Sequence, residues 1–181
     1  MMPELDRWIV SHALRCLRRG SRIRCLSVNL SGQTLADPSF PAFVERELAA
    51  TGMAPARLVF ELDESDLAHE RTAVAAAALR GTGCRVLIDS FGSTPRALQH
   101  LKSLRVDLVK LDGTIVRKIL ANGAERKLVD ALLRIAAAVK LEVIGSCVED
   151  QNVLLRLKAL GVGYAQGFGV HQPGPLEKLA G

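Results

Sequence analysis

Aromatic residues are scarce in this chain: five Phe, one Tyr and one Trp among 181 residues. Leu, Val, Ile and Ala must therefore fill the interior, and a hydrophobic content of 49% is enough for a substantial core. Cysteine is equally sparing. Cys16, Cys25, Cys84 and Cys147 form no CxxC pair and have no accompanying histidine spacing, which argues against a zinc or disulfide framework. They read as reduced, mostly buried thiols of a cytoplasmic protein. No apolar run approaches the ~20 residues that span a bilayer. Charges stand where the apolar part of a signal peptide would lie, so no membrane partner is expected. The formal charge of +5 favours anionic partners only modestly. The basic residues concentrate at Arg15, Arg18, Arg19, Arg22 and Arg24, the first four sharing one face at helical spacing. Nucleic-acid binding would need stacking aromatics or a reading motif beside such a patch, and neither is there. The cluster reads as a solvated helix end, where cations suit the macrodipole.

What the chain does have is a rhythm. Six short apolar runs end on a polar residue and lead into a helical stretch: LSVN at Asn29, RLVFE at Glu61, RVLID at Asp89, DLVK at Lys110, EVIG before Ser146 and the weaker GVGYAQ at Gln166. Near-continuous apolar strands separated by segments long enough for crossover helices indicate a parallel α/β sheet. In such folds the C-terminal strand ends form one face, where residues distant in sequence meet a ligand. A complete eight-stranded barrel takes roughly 250 residues, so six units in this length predict an incomplete one. Without a linker, low-complexity tract or repeat, residues 1–181 read as a single domain.

Helices are expected at Glu4–Arg19, with Leu5, Ile9, Ala13 and Leu17 on one stripe; from Pro38/Pro41 to Ala50; at 67–80; at Arg96–Ser103; from Thr114; at 124–140, with Leu128, Leu132, Ile135 and Val139 on the buried stripe; and at 150–160. Strands are expected at 26–30, 57–62, 85–89, 107–111 and 141–145, and a short helix in the tail.

Asn29, Glu61 and Asp89 are hard oxygen donors at three successive strand ends, suited to Mg2+, Mn2+ or Ca2+ and unsuited to zinc. Lys110, at the next strand end, could hold a phosphate or activate water.

Taken in order, VNLS (28–31), ELDES (61–65), DSFGS (89–93), KLD (110–112), VIGSCVE (143–149) and QGF (166–168) resemble the EAL-type cyclic-diguanylate phosphodiesterase domain. That family shows NLS, E-x-T-E-S, DDFG, K-x-D, AEGVE and QG at these stations, and the likeness runs from about Leu5 to Pro173. It implies a TIM-like β/α barrel of the EAL type. Catalytic members hydrolyse a phosphodiester bond of cyclic diguanylate with one or two divalent ions. By the resemblance, Asn29, Glu61 and Asp89 match metal ligands and Lys110 the lysine beside the attacking water. Glu64 and Glu149 match loop-ordering residues, Asp112 a residue supporting the site, and Gln166 a polar group of the substrate groove. The implied cofactor is Mg2+ or Mn2+ where a metal is retained, and none otherwise. The implied ligand is cyclic diguanylate.

The departures bear on activity. Ser90 stands where the family has a second aspartate, and Ser146 where it has the glutamate that acts as general base. A serine hydroxyl is too weakly basic to take a proton from metal-bound water, and losing a positioned base costs roughly 10²–10⁴-fold in rate. Thr94, Pro95 and Arg96 replace a small, flexible turn. PELDRWIVSHAL (3–14) resembles the second half of the family's first long helix, so the signature glutamate and the opening strands are absent from the sequence. A natural short protein and a shortened reading frame both fit, and an open sheet edge invites a protein partner or a second copy. The expectation is a degenerate, N-terminally truncated, non-catalytic EAL-like signalling module that binds cyclic diguanylate weakly or docks a protein. The alternatives are a metal-dependent phosphodiesterase of low activity and a decayed gene remnant.

Overall fold

Each apolar run of the sequence forms a strand. The structure, a computed structural model, describes residues 1–18, 23–93, 101, 104–120 and 123–176. In chain order the elements are α1 (Met2–Arg18), β1 (Leu26–Asn29), α2 (Gly32–Leu35), α3 (Phe40–Thr51), β2 (Leu58–Asp63), α4 (Glu70–Gly81), β3 (Arg85–Phe91), β4 (Leu108–Leu111), α5 (Gly113–Arg117), α6 (Ala124–Ala138), β5 (Glu142–Gly145), α7 (Gln151–Ala159) and β6 (Tyr164–Ala165). Short 3-10 turns fill Pro55–Arg57, Glu64–Ala68 and Lys118–Leu120. The strands belong to one sheet in the order β1-β2-β3-β4-β5-β6. The β1–β2, β4–β5 and β5–β6 pairs are parallel. Six strands among the described residues are two fewer than close a β/α barrel. No helix among them is long and apolar enough to cross a membrane.

The chain divides into two compact units. One comprises Met1–Leu87, Ser103–Arg105 and Gly174–Gly181, and the other Ile88–Lys102 and Val106–Pro173. In the first, β2 is buried from Leu58 to Leu62, as expected of a strand covered on both faces. Phe60 meets Phe40 of α3 edge-on, with ring centroids 5.9 Å apart. Gly52 ends α3 in the left-handed conformation, its N–H bonded to the Leu48 carbonyl. In the second unit Ile88, Phe91, Val109, Leu111, Val116, Ile119, Val148 and Leu157 form the interior. Asp112 caps α5 by accepting from the Thr114 N–H at 2.8 Å, and Asp150 caps α7 from Asn152 and Val153.

Two expected stripes are corrected. On α1 the buried positions are Asp6, Val10, Ala13, Leu14, Cys16 and Leu17, while Leu5 is exposed. On α6 they are Val129, Leu132 and Ala136, while Leu128 (57% accessible) and Val139 face outward. Of the thiols, Cys16 and Cys84 are buried but Cys25 and Cys147 are exposed, because both lie in loops outside the core-facing stripes. Burial raises the Cys84 thiol above its ordinary pKa. Most of the expected helix at Arg96–Ser103, most of the tail helix, and Arg19 and Arg22 of the arginine cluster fall outside the described residues.

Candidate functional site

The first unit carries Asn29, Glu61 and Glu64. Asn29 ends β1 and is the register partner of Glu61 on β2, and the Leu30 N–H donates to the Glu61 carbonyl at 3.0 Å. Register partners on parallel strands project to the same face, so a carboxamide and a carboxylate adjoin there. Asn29 is exposed, whereas Glu61 and Glu64 are buried. The turn after Asn29 is held from α1. The Asp6 carboxylate, 3% accessible, accepts from the Ser31 N–H (3.0 Å), the Ser31 hydroxyl (2.8 Å) and the Thr34 hydroxyl (2.5 Å). Ser31 in turn caps α2, accepting from the Thr34 N–H at 3.2 Å. Sequence reading missed Asp6 because its partners lie 25 and 28 residues away.

The second unit gathers the remaining candidates around one groove of about 390 Å³. Asp89, Lys110, Asp112, Ser146, Glu149 and Gln166 all line it, together with Ser90, Cys147 and Phe168. Lys110 is 6% accessible, and its Nζ lies 3.4 Å from Asp89 Oδ2. Asp89 Oδ1 accepts from the Ser90 N–H at 2.7 Å. The Ser146 hydroxyl donates to the Leu111 carbonyl at 2.5 Å, which ties the end of β5 to that of β4. Beside it Cys147 is held at φ +53°, a left-handed conformation that costs most residues energy. Its sulfur occupies space kept free by Gly113: a Cβ there would lie 2.6 Å away. Among the described residues the groove's charged lining is three carboxylates and one ammonium, a net negative set.

The far wall is the 166–169 loop. The Val148 N–H donates to the Gln166 carbonyl (3.0 Å) and the Gly169 N–H to the Val148 carbonyl (2.9 Å). Gly167 packs so closely that a Cβ would lie 2.3 Å from the Val148 backbone, which only glycine permits. The loop displays Phe168, 64% accessible, on the groove wall. The sequence reading assigns no site role to Phe168 or Cys147, although a lone aromatic between two glycines in so aromatic-poor a chain is a usable signal.

A divalent ion fits these residues only in part. Among the described residues no three His, Cys, Asp or Glu side chains gather into a shell. In the second unit Asp89 Oδ2 already faces an ammonium, and Ser146 is bonded to a main-chain carbonyl. In the first, Asn29 and Glu61 supply two adjoining hard oxygen donors of the kind Mg2+ or Mn2+ takes.

Against known proteins, the EAL domain family matches residues 1–173. The cyclic di-GMP phosphodiesterase PdeF of Escherichia coli (strain K12) is 29% identical over 97% of this chain and 24% of its own length. The cyclic di-GMP phosphodiesterase PdeB of Shewanella oneidensis is 28% identical over 97% of this chain and 21% of its own. The chain thus spans about a quarter of the length of these relatives. Among solved structures, the EAL domain of Mycobacterium smegmatis DcpA superposes with a TM-score of 0.90 at 28% identity, covering 99% of this chain and 84% of that one. The FimX EAL domain from Pseudomonas aeruginosa bound to c-di-GMP superposes with a TM-score of 0.89 at 26% identity, covering 96% and 71%. These likenesses give the strand–helix succession its architecture, a TIM-like β/α barrel short of its full strand count. With the family matching nearly its whole length, this chain belongs to the EAL domain family.

Proposed function

We infer that this EAL domain binds cyclic di-GMP without hydrolysing it and acts as a signalling receptor module in the cytoplasm. The observation that carries the reading is the Ser146 hydroxyl, bonded to the Leu111 carbonyl at 2.5 Å where the family's motif has a glutamate. A serine hydroxyl is too weakly basic to take a proton from an attacking water, this one is held against a main-chain carbonyl, and a positioned base supplies roughly 10²–10⁴-fold of rate. Ser90 adds to this, since a second carboxylate is missing beside Asp89. Binding is supported by what remains: Lys110, Asp89, Asp112 and Gln166 line one groove, and relatives are named for this dinucleotide.

As proposed, residues 1–181 act as one domain, with Glu64 and Glu149 ordering loops and Asp112 and Gln166 contacting ligand. A protein partner or second copy is the interaction version of the same reading. The alternative is a slow phosphodiesterase using Mg2+ or Mn2+ on Asn29, Glu61 and Asp89 with Lys110. The Asn29–Glu61 register favours it.

Isothermal titration with cyclic di-GMP, paired with a turnover assay in Mg2+ and in Mn2+, tests the proposal. Saturable binding with no linear product is expected. Turnover abolished by Glu61→Ala would establish the alternative, and absence of heat at high micromolar ligand would leave only the interaction version.

A further inference from the structure

Resting on that reading, we propose that Phe168 is the base-stacking platform of the groove, and that affinity here comes from a nucleobase face more than from phosphate charge. The argument begins with the lining. Among the described residues, Asp89, Asp112 and Glu149 set three negative charges against one ammonium, Lys110, which lies 3.4 Å from Asp89. Such a surface gives a phosphodiester little attraction, so a ligand retained there needs another source of binding free energy.

Phe168 supplies it. Large apolar side chains stay 64% accessible on a groove wall either by accident or because something covers them, and three features argue against accident. Among the described residues Phe168 is the only aromatic on the groove's lining, whereas the other exposed aromatics, Trp8 and Tyr164, are not part of it. The backbone presenting it is pinned on both sides: Gln166 N–H to the Gly145 carbonyl (2.8 Å), Val148 N–H to the Gln166 carbonyl, and Gly169 N–H to the Val148 carbonyl. Gly167 and Gly169 lie against the Val148–Glu149 backbone closely enough that a Cβ on either would collide with it, so the ring cannot retreat by moving the loop inward. A ring fixed in place costs little ordering when a flat partner covers it, and aromatic stacking accepts any base because every base has a π face. Gln166, with one donor and one acceptor group on its amide, lines the same groove and can read the base edge.

The test is titration of the full chain and its Phe168→Ala and Phe168→Trp variants with cyclic di-GMP, and with inorganic pyrophosphate as an anion lacking a base. Phe168 is exposed, so both variants are expected to keep the wild-type melting temperature, which controls for folding. Dinucleotide affinity should fall about tenfold or more in Phe168→Ala and stay within about threefold in Phe168→Trp, while pyrophosphate binding is indifferent to residue 168. Unchanged dinucleotide affinity in Phe168→Ala, with wild type binding, overturns this inference and leaves the receptor reading standing. An equal loss for pyrophosphate also overturns it, because the effect would then not be on the base. Failure of wild type to bind the dinucleotide overturns both.

Discussion

Asp6 and Asp89 are both aspartates beside a strand end, and they show two ways of using a carboxylate. In the first unit Asp6 is buried and accepts three hydrogen bonds from Ser31 and Thr34 on Oδ2, so that oxygen is taken up by the fold. In the second, Asp89 is half-buried, takes one backbone N–H and faces Lys110, with the groove open beside it. A polar group whose partners all lie within the chain fixes architecture. One left partly open can still exchange partners with a ligand. The sequence contains both residues but does not distinguish them, because the partners decide.

The largest expected effect breaks the first half of this contrast. Asp6→Ala leaves three donors, one buried and two part-buried, short of an acceptor and should lower unfolding stability by about 3 kcal/mol in urea titration, since a buried unsatisfied group costs about 1–3 kcal/mol. The ligand affinity of the molecules that remain folded should not change. In the second unit Gly167→Ala drives a Cβ into the Val148 backbone. It should cost about 2–3 kcal/mol and weaken ligand binding as well, since the loop carrying Gln166 and Phe168 must move. Lys110→Met tests the Asp89 pair. Asp89 remains 29% accessible, so solvent offsets part of the loss, and about 1 kcal/mol is expected by chemical denaturation. Cys147→Gly runs the other way: relief of the left-handed φ exceeds the added freedom of the unfolded chain, and a gain of about 0.5 kcal/mol should appear as a small rise in melting temperature.

The smallest effect is in pH. The Ser39 hydroxyl and then Arg7 hold the Asp37 carboxyl at about 2, below its ordinary 3.8. A depressed carboxyl contributes stability that is present above its unfolded pKa and lost as pH falls through the folded one. Asp37→Asn should therefore flatten the acid limb of the stability profile only between about pH 4 and pH 2.

The strands were legible because a parallel strand buried on both faces leaves a run of apolar letters, as LVFEL does in β2. Helix facing was less so. The α1 stripe drawn through Leu5 turns instead through Asp6, since three hydrogen bonds to residues far along the chain outweigh the burial of one leucine. The α6 stripe drawn through Leu128 and Val139 fails for a related reason: an apolar residue at a helix end need not meet any neighbour. At the site, Asp89, Lys110, Ser146 and Gln166 could be gathered from spacing, because strand ends of a parallel sheet lie on one side. The hydrogen-bond partner of Ser146 could not. The serine's identity was plain in the sequence, but the carbonyl that receives its proton belongs to a strand 35 residues away.

β6 is only two residues long, and most of what holds the following loop is three main-chain bonds reaching back to residues 145 and 148. Hydrogen–deuterium exchange should accordingly see the amides of Val148, Gln166 and Gly169 opening together, as one small cooperative patch below the global unfolding limit. A molecule seated on Phe168 would slow all three at once, so occupancy could be read from isotope uptake at main-chain atoms it never touches.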